Sequence, residues 1–241
     1  MKSRRAFARL SAATDELAHR CAEIRYRLRG RRRKFADIFR ERFWGDGESV
    51  SGPGSSLAET AVVRNDLSSI VREFRVRTLL DAPCGDFHWM SRTDLDLERY
   101  VGVDIVAELV RGNRERHAGP GREFLEADIV VEPLPTADLV LCRDCLVHLS
   151  HRDAQRALRN FCRSGSRLLL TTTFPGVPLN RDIPTGGWRP INLEKAPFHL
   201  GPPLLLRDEG CREADGTPVG KFLGLWELAA VASALRAGGR G

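Results

Sequence analysis

The stretch Arg77-Thr-Leu-Leu-Asp-Ala-Pro-Cys-Gly-Asp86 decides the fold. A short apolar run ends in an acidic residue and meets Pro and Gly at once, as expected of a buried strand running into a tight loop. The same grammar recurs downstream in Tyr100-Val-Gly-Val-Asp104, Glu123-Phe-Leu-Glu-Ala-Asp128, Ala137-Asp-Leu-Val-Leu-Cys142 and Ser166-Arg-Leu-Leu-Leu-Thr-Thr-Thr173. Helical periodicity fills Leu57 to Phe74, Ile105 to His117 and His151 to Phe161, and a helix is expected to begin near Phe87. Strands of this apolar kind alternating with helices predict an α/β fold whose mostly parallel, Rossmann-like sheet is covered by helices on both faces.

The pattern changes after the fifth strand. Pro175 to Pro203 is rich in Pro, Gly and aromatics and has no helical period. Leu204 to Arg207 and Phe222 to Leu228 then read as strands, with Asp215-Gly216 in the connection, so a seven-stranded sheet would end in an antiparallel hairpin. A segment this long without regular structure is usually functional, and 175–203 is expected to be a substrate loop.

Composition narrows the class. The chain has 241 residues, 42% hydrophobic and 29% charged, with a formal charge of +6. That is too apolar for a disordered protein, and no apolar run reaches the ~18 residues of a membrane span. The Arg-rich start lacks the apolar run of an export signal, and the six Cys show no disulfide spacing, so a cytoplasmic protein is expected. The charge is uneven. Residues 1–44 carry 14 Lys and Arg against 5 Asp and Glu, a net of +9, which leaves −3 for residues 45–241. The arm reads as two amphipathic helices broken near Gly30. Three roles stay open for it: a cap on the body, contact with a membrane surface or an anionic substrate, or nucleic-acid binding.

In open α/β sheets ligands bind beyond the carboxyl ends of the strands. Here those ends carry Asp81, Asp104, Asp128 and Asp144, with Asp86 in the first loop. So many carboxylates would repel a dinucleotide pyrophosphate, and with Gly85 alone in that loop G-x-G-x-x-G is not met. A cationic, phosphate-free nucleoside fits: S-adenosylmethionine, whose sulfonium and ammonium groups want carboxylates and whose ribose diol wants an acidic acceptor.

Asp81-Ala-Pro-Cys-Gly-Asp86, Val103-Asp104 and Ala127-Asp128-Ile129 resemble motifs of the class I S-adenosylmethionine-dependent methyltransferases, over roughly Phe39 to Leu228. Asp81 to Met90, Leu141 to Leu149 and Thr185 to Phe198 also look like a bacterial branch of that superfamily whose members often belong to surface-glycan or specialised-metabolite pathways. The resemblance implies a cofactor site built from Asp81, Pro83, Gly85, Asp86, Trp89, Asp104, Ile105, Asp128, Ile129 and Arg143. In it Asp104 holds the ribose, Asp128 and Ile129 meet the adenine, and S-adenosylhomocysteine is the product. Pro83 and Phe87 stand where two glycines are often found, which leaves the loop conformation open.

Methyl transfer is a displacement at an activated carbon, and a base is needed only when the acceptor holds a proton. Asp144 and His148 are four residues apart, so on one helical turn they would share a face as a catalytic pair; His148 also reads as a helix-start or packing residue. Trp44, Arg181, Trp188, Arg189 and Asn192 form the expected substrate set, one that suits a polar, even anionic, small molecule or glycan. For Trp188 the alternative is packing of the loop onto the sheet. Cys142 and Cys145 make a lone C-x-x-C with no second pair, and no metal site is expected. The reading is a methyltransferase acting on oxygen, less readily nitrogen. Its rivals are a nucleic-acid methyltransferase, whose affinity would be lost without residues 1–34, and a non-catalytic S-adenosylmethionine-binding protein. No nucleic-acid partner is expected, and the sequence does not give the oligomeric state.

Overall fold

The computed structural model describes residues 30–45, 47–213 and 215–237. Helix α1 (Arg31–Arg40) is followed by an irregular Gly/Ser-rich segment and helix α2 (Ala61–Glu73). The sheet is then laid down by β1 (Thr78–Asp81), β2 (Arg99–Asp104), helix α3 (Ala107–His117), β3 (Arg122–Glu126), β4 (Leu139–Cys142), helix α4 (His151–Arg163) and β5 (Leu168–Thr173). β6 (Leu205–Asp208), β7 (Phe222–Glu227) and helix α5 (Leu228–Ala237) close the described chain. The seven strands lie in the order β3-β2-β1-β4-β5-β7-β6. The first five are parallel, while β7 runs antiparallel to both β5 and β6.

Alternation along each strand builds two cores. Leu80, Val101, Val103, Val140, Leu169 and Trp226 point to the face covered by α4 and α5. Leu79, Tyr100, Phe124, Leu139, Leu141, Leu168 and Leu170 point to the face covered by α2 and α3. This double burial is why the strands read as unbroken apolar runs. Ser150 caps α4 by accepting from the Asp153 amide at 3.2 Å.

Three elements depart from the sequence reading. No α-helix starts near Phe87: that residue is buried at φ +60, outside helical geometry, and packs on Tyr100 and Phe124, leaving a single 3-10 turn at Met90–Arg92. Leu228 opens α5 rather than ending β7. The segment 175–203 does lack helices and strands. It is nonetheless a packed part of the core, burying Ile191, Leu193, Phe198 and Leu200.

Candidate active site

β2 and β3 lie to one side of β1, and β4 and β5 to the other. The sheet therefore changes winding direction between β1 and β4, and a crevice opens above their carboxyl ends. A cavity of about 380 Å³ occupies it. All ten residues expected for the cofactor line this cavity: Asp81, Pro83, Gly85, Asp86, Trp89, Asp104, Ile105, Asp128, Ile129 and Arg143.

The wall at β1 and β2 is acidic and short of cations. Asp81 ends β1, buried, and accepts the Tyr100 hydroxyl at 2.6 Å. Burial pushes its carboxyl up to about 7; the Tyr100 bond opposes this, Asp104 adds to it and Arg143 reduces it. Asp104 ends β2 and accepts the backbone amides of Val106 at 2.9 Å and Gly85 at 3.1 Å. Burial raises it to about 6 against those amide bonds, with Asp86 adding to the rise. Gly85 sits at φ +55, and a Cβ there would collide with Ser51 Oγ, so the loop needs glycine at this point.

Asp86 turns to a different task. Its Oδ2 accepts Ser49 Oγ at 2.9 Å and the Val50 amide at 3.0 Å, which pins the Gly/Ser-rich segment to the first loop. Ser51, Gly52, Pro53, Gly54 and Ser55 thereby become cavity wall.

The wall at β4 is charged but internally balanced. Asp144 follows β4 at φ +50, its amide donating to Thr172 Oγ1 at 2.8 Å. Its Oδ2 lies 2.5 Å from Lys221 Nζ and 3.4 Å from Arg143. Burial alone would raise this carboxyl, but Arg143 and Lys221 outweigh it and hold the group below the usual range. Arg143 donates twice to Glu209 Oε2, at 2.9 and 2.7 Å, and once to the Gly54 carbonyl at 2.8 Å, with its guanidinium over the Trp89 ring. Lys221 also reaches Glu209 Oε2 at 3.2 Å.

Asp144 and His148 do not share an α-helical face. They are joined by an irregular turn and a short 3-10 segment, Leu146–His148. Both still line the cavity. His148 Nδ1 lies 2.8 Å from the Gly187 carbonyl, which fixes the proton on that nitrogen. The ring stacks on Trp44 at 4.3 Å between centroids, with planes 29° apart. Burial keeps the imidazole below its ordinary pKa; the Gly187 bond and Asp144 oppose this, and Arg189 and Lys221 reinforce it.

Helix α1 covers the cavity. Phe35 and Phe39 line it, as does Arg31, whose Nε meets Asp128 Oδ2 at 2.8 Å. Arg32 pairs with Glu126 and Glu132, Arg40 with Glu108, and the buried Lys34 ammonium donates to the Thr185 carbonyl at 2.6 Å. The described end of the basic arm is thus a cap held by the acidic body. The first of its two expected helices lies outside the described residues.

Of the expected substrate set, Trp44 and Trp188 line the cavity, Trp188 being 57% exposed. The other three do not line it. Arg189 is buried, donating to the carbonyls of Leu146 at 2.7 Å and Leu149 at 2.8 Å. Asn192 donates to the carbonyls of Pro175 and Val177, both at 2.9 Å. Arg181 is exposed, its carbonyl accepting from Arg189. Arg189 and Asn192 fold the 175–203 segment instead of gripping a ligand, because its many turns leave carbonyls that need donors. The residues that sequence reasoning missed are Glu209 and Lys221, which flank the β6–β7 connection, and Arg31, Phe35 and Phe39 of α1. The amphipathic reading of the arm covered α1 without giving its apolar face a target; nothing local marks Lys221.

Comparison with known proteins agrees with this geometry. Residues 79–165 match the family model of a methyltransferase domain. The methyltransferase domain of bacterial CtHen1 superposes with a TM-score of 0.53 at 12% identity, covering 70% of this chain and 98% of that one. The N-methyltransferase NodS from Bradyrhizobium japonicum gives 0.48 at 14% identity, over 70% and 93%. Magnesium protoporphyrin IX methyltransferase from Synechocystis with bound S-adenosylhomocysteine gives 0.45 at 16%, over 61% and 72%. No curated protein sequence matches the chain. The sheet order and the crevice define the Rossmann-like class of nucleoside-binding folds. The family match over 79–165 makes that stretch a methyltransferase domain, and the fold around it agrees with that of the class I S-adenosylmethionine-dependent methyltransferases.

Proposed function

We propose that the protein methylates a hydroxyl, less readily a nitrogen, on a polar small molecule or sugar, with His148 as general base. The observation that carries this is the state of His148. Its Nδ1 proton is committed to Gly187, its ring is held flat against Trp44, and burial keeps it neutral. Nε2 then carries the lone pair in a residue that lines the cavity. Such a group takes the proton that a hydroxyl must lose, which contributes typically 10²–10⁴-fold.

The β1–β2 wall fits the donor. Asp81 and Asp104 are buried carboxylates that favour a positively charged ligand, and Gly85 keeps the backbone open beside them. On this reading Asp104 holds the ribose and Asp81 faces the methionine end, while Asp128, steadied by Arg31, and Ile129 flank the adenine. S-adenosylmethionine supplies a methyl group on a positively charged sulfur. The residues around it need only align the acceptor, exclude water and receive a proton. Phe35, Phe39, Trp44 and Phe174 provide the apolar enclosure.

The acceptor is polar rather than anionic. With Arg181, Arg189 and Asn192 away from the cavity, its remaining cations already have carboxylate partners: Arg31 on Asp128, Arg143 on Glu209, and Lys221 on Asp144. The test is S-adenosylhomocysteine formation across a panel of hydroxyl and amine acceptors. His148→Asn should lower kcat by about 10²–10⁴ with donor Kd unchanged. Wild-type turnover in that variant removes the base; no donor binding by calorimetry removes the reading altogether.

A further inference from the structure

Lys221 lines the cavity beside Asp144, on the β4 wall across from Asp81 and Asp104. Its ammonium has three N–H donors and no acceptor. One meets Asp144 Oδ2 at 2.5 Å and another lies 3.2 Å from Glu209 Oε2, which leaves a third. Asp144 has the complementary surplus. Oδ2 is shared by Lys221 and Arg143, while among the described residues Oδ1 meets only the Thr172 hydroxyl, at 3.5 Å. Each carboxylate oxygen carries two lone pairs, and this side chain is 29% exposed.

Gly54 packs beside the pair: a Cβ there would stand 3.4 Å from Asp144 Oδ2 and 3.9 Å from Lys221 Nζ, in contact with both charged groups. Among the described residues, a Lys221 N–H and an Asp144 carboxylate oxygen with bonding capacity to spare therefore lie side by side on one wall of the cavity that also holds His148.

Charge decides what they can read. Arg143 and Lys221 face Asp144 and Glu209, two cations against two carboxylates, so an incoming anion would meet like charges as often as opposite ones. A neutral ligand with an O–H for Asp144 and an adjacent oxygen for Lys221 satisfies both. Trp44 and Trp188 offer flat apolar surface for the C–H face of such a molecule.

We propose that Asp144 and Lys221 form an acceptor subsite that grips two adjacent hydroxyls of a neutral polyol, such as a sugar ring, beside the hydroxyl facing His148. The subsite rests on the reading that this cavity takes the methyl acceptor. It adds a substrate class, the vicinal diol, and a specificity-determining residue, Lys221.

The test separates the two readings by measuring binding without turnover. The full chain saturated with S-adenosylhomocysteine is titrated with methyl hexopyranosides and their monodeoxy counterparts. At least one glycoside should bind about tenfold more tightly than a deoxy form, since a site built to hydrogen-bond a hydroxyl rejects the analogue lacking it. Lys221→Met should erase that difference while S-adenosylhomocysteine affinity stays within about twofold, and Lys221→Gln, which keeps an N–H, should retain part of it. Gly54→Ala is the second variant should Lys221→Met fail to fold. It removes no charge and sets a methyl group against the pair, and it too should erase the difference. Glycosides that fail to bind at millimolar concentration, or that bind no better than their deoxy forms, overturn the subsite. His148→Asn should lose turnover yet keep the discrimination, so the base and the subsite fail independently.

Discussion

The two walls of the cavity handle buried acid in opposite ways. At β1 and β2, Asp81 and Asp104 have hydrogen bonds from Tyr100 and backbone amides but no ion pair among the described residues, and burial lifts them to about 7 and about 6. At β4, Asp144 is almost in contact with Lys221 and Arg143 and is held below the ordinary range. The first wall leaves its charge for a ligand to neutralise; the second neutralises itself. That division matches the proposed roles, a cationic donor on one side and an uncharged acceptor on the other.

The sharpest way to break the comparison is to unbalance the second wall. Glu209 is fully enclosed and holds both Arg143 and Lys221 through one oxygen, Oε2. Glu209→Ala would leave two buried cations with Asp144 as their remaining carboxylate. Losing one partner of a buried pair costs about 3–5 kcal/mol. For a chain of this size that is a fall of roughly 6–20 °C in Tm, read by thermal unfolding. A loss under about 1 kcal/mol would mean that the cluster is hydrated and the contrast between the walls is false.

The first wall is probed by pH. A carboxyl whose folded-state pKa is raised binds its proton more tightly when folded. The ligand-free protein therefore loses stability from Asp81 and Asp104 as pH climbs from about 4 to about 7. A cationic donor favours the ionised forms, so its affinity must rise over the upper part of the same window. Calorimetry should show Kd for S-adenosylmethionine falling about tenfold from pH 5.5 to 7.5 and levelling above it. A flat profile would mean that these carboxylates do not face the donor's charge.

Much of the fold was legible because strand ends and sheet position are linked. Asp81, Asp104 and Asp128 each follow a buried apolar run, and parallel strands must deliver such residues to one edge. The acceptor side was less legible. Arg189 and Asn192 look like ligand-binding polar residues, yet whether a donor faces a substrate or a backbone carbonyl depends on the path of the 175–203 segment, which follows no period. Glu209 and Lys221 were invisible for a related reason. They are isolated charges 66 and 77 residues from their partners, brought there by the antiparallel β7.

Helix α1 gives the smallest expected effect and completes the contrast, because its Arg32 pairs lie in water while the helix itself covers the cavity. Arg32 and its partners Glu126 and Glu132 are each about two-fifths exposed. Exposed pairs contribute about 0–1 kcal/mol and weaken with salt. Arg32→Ala should therefore shift stability by less than about 1 kcal/mol. Its effect belongs in the donor's kinetics: with Phe35 and Phe39 of the same helix over the cavity, a loosened α1 lets the donor leave sooner. Dissociation of S-adenosylhomocysteine, followed by stopped flow, should quicken a few-fold in Arg32→Ala and similarly in wild type at high salt. Salt should add less once Arg32 is gone, acting then through the exposed Arg40–Glu108 pair. If salt speeds wild type and variant equally, the Arg32 pairs are incidental to the cap and its salt-sensitive hold lies in Arg40–Glu108 and Arg31–Asp128.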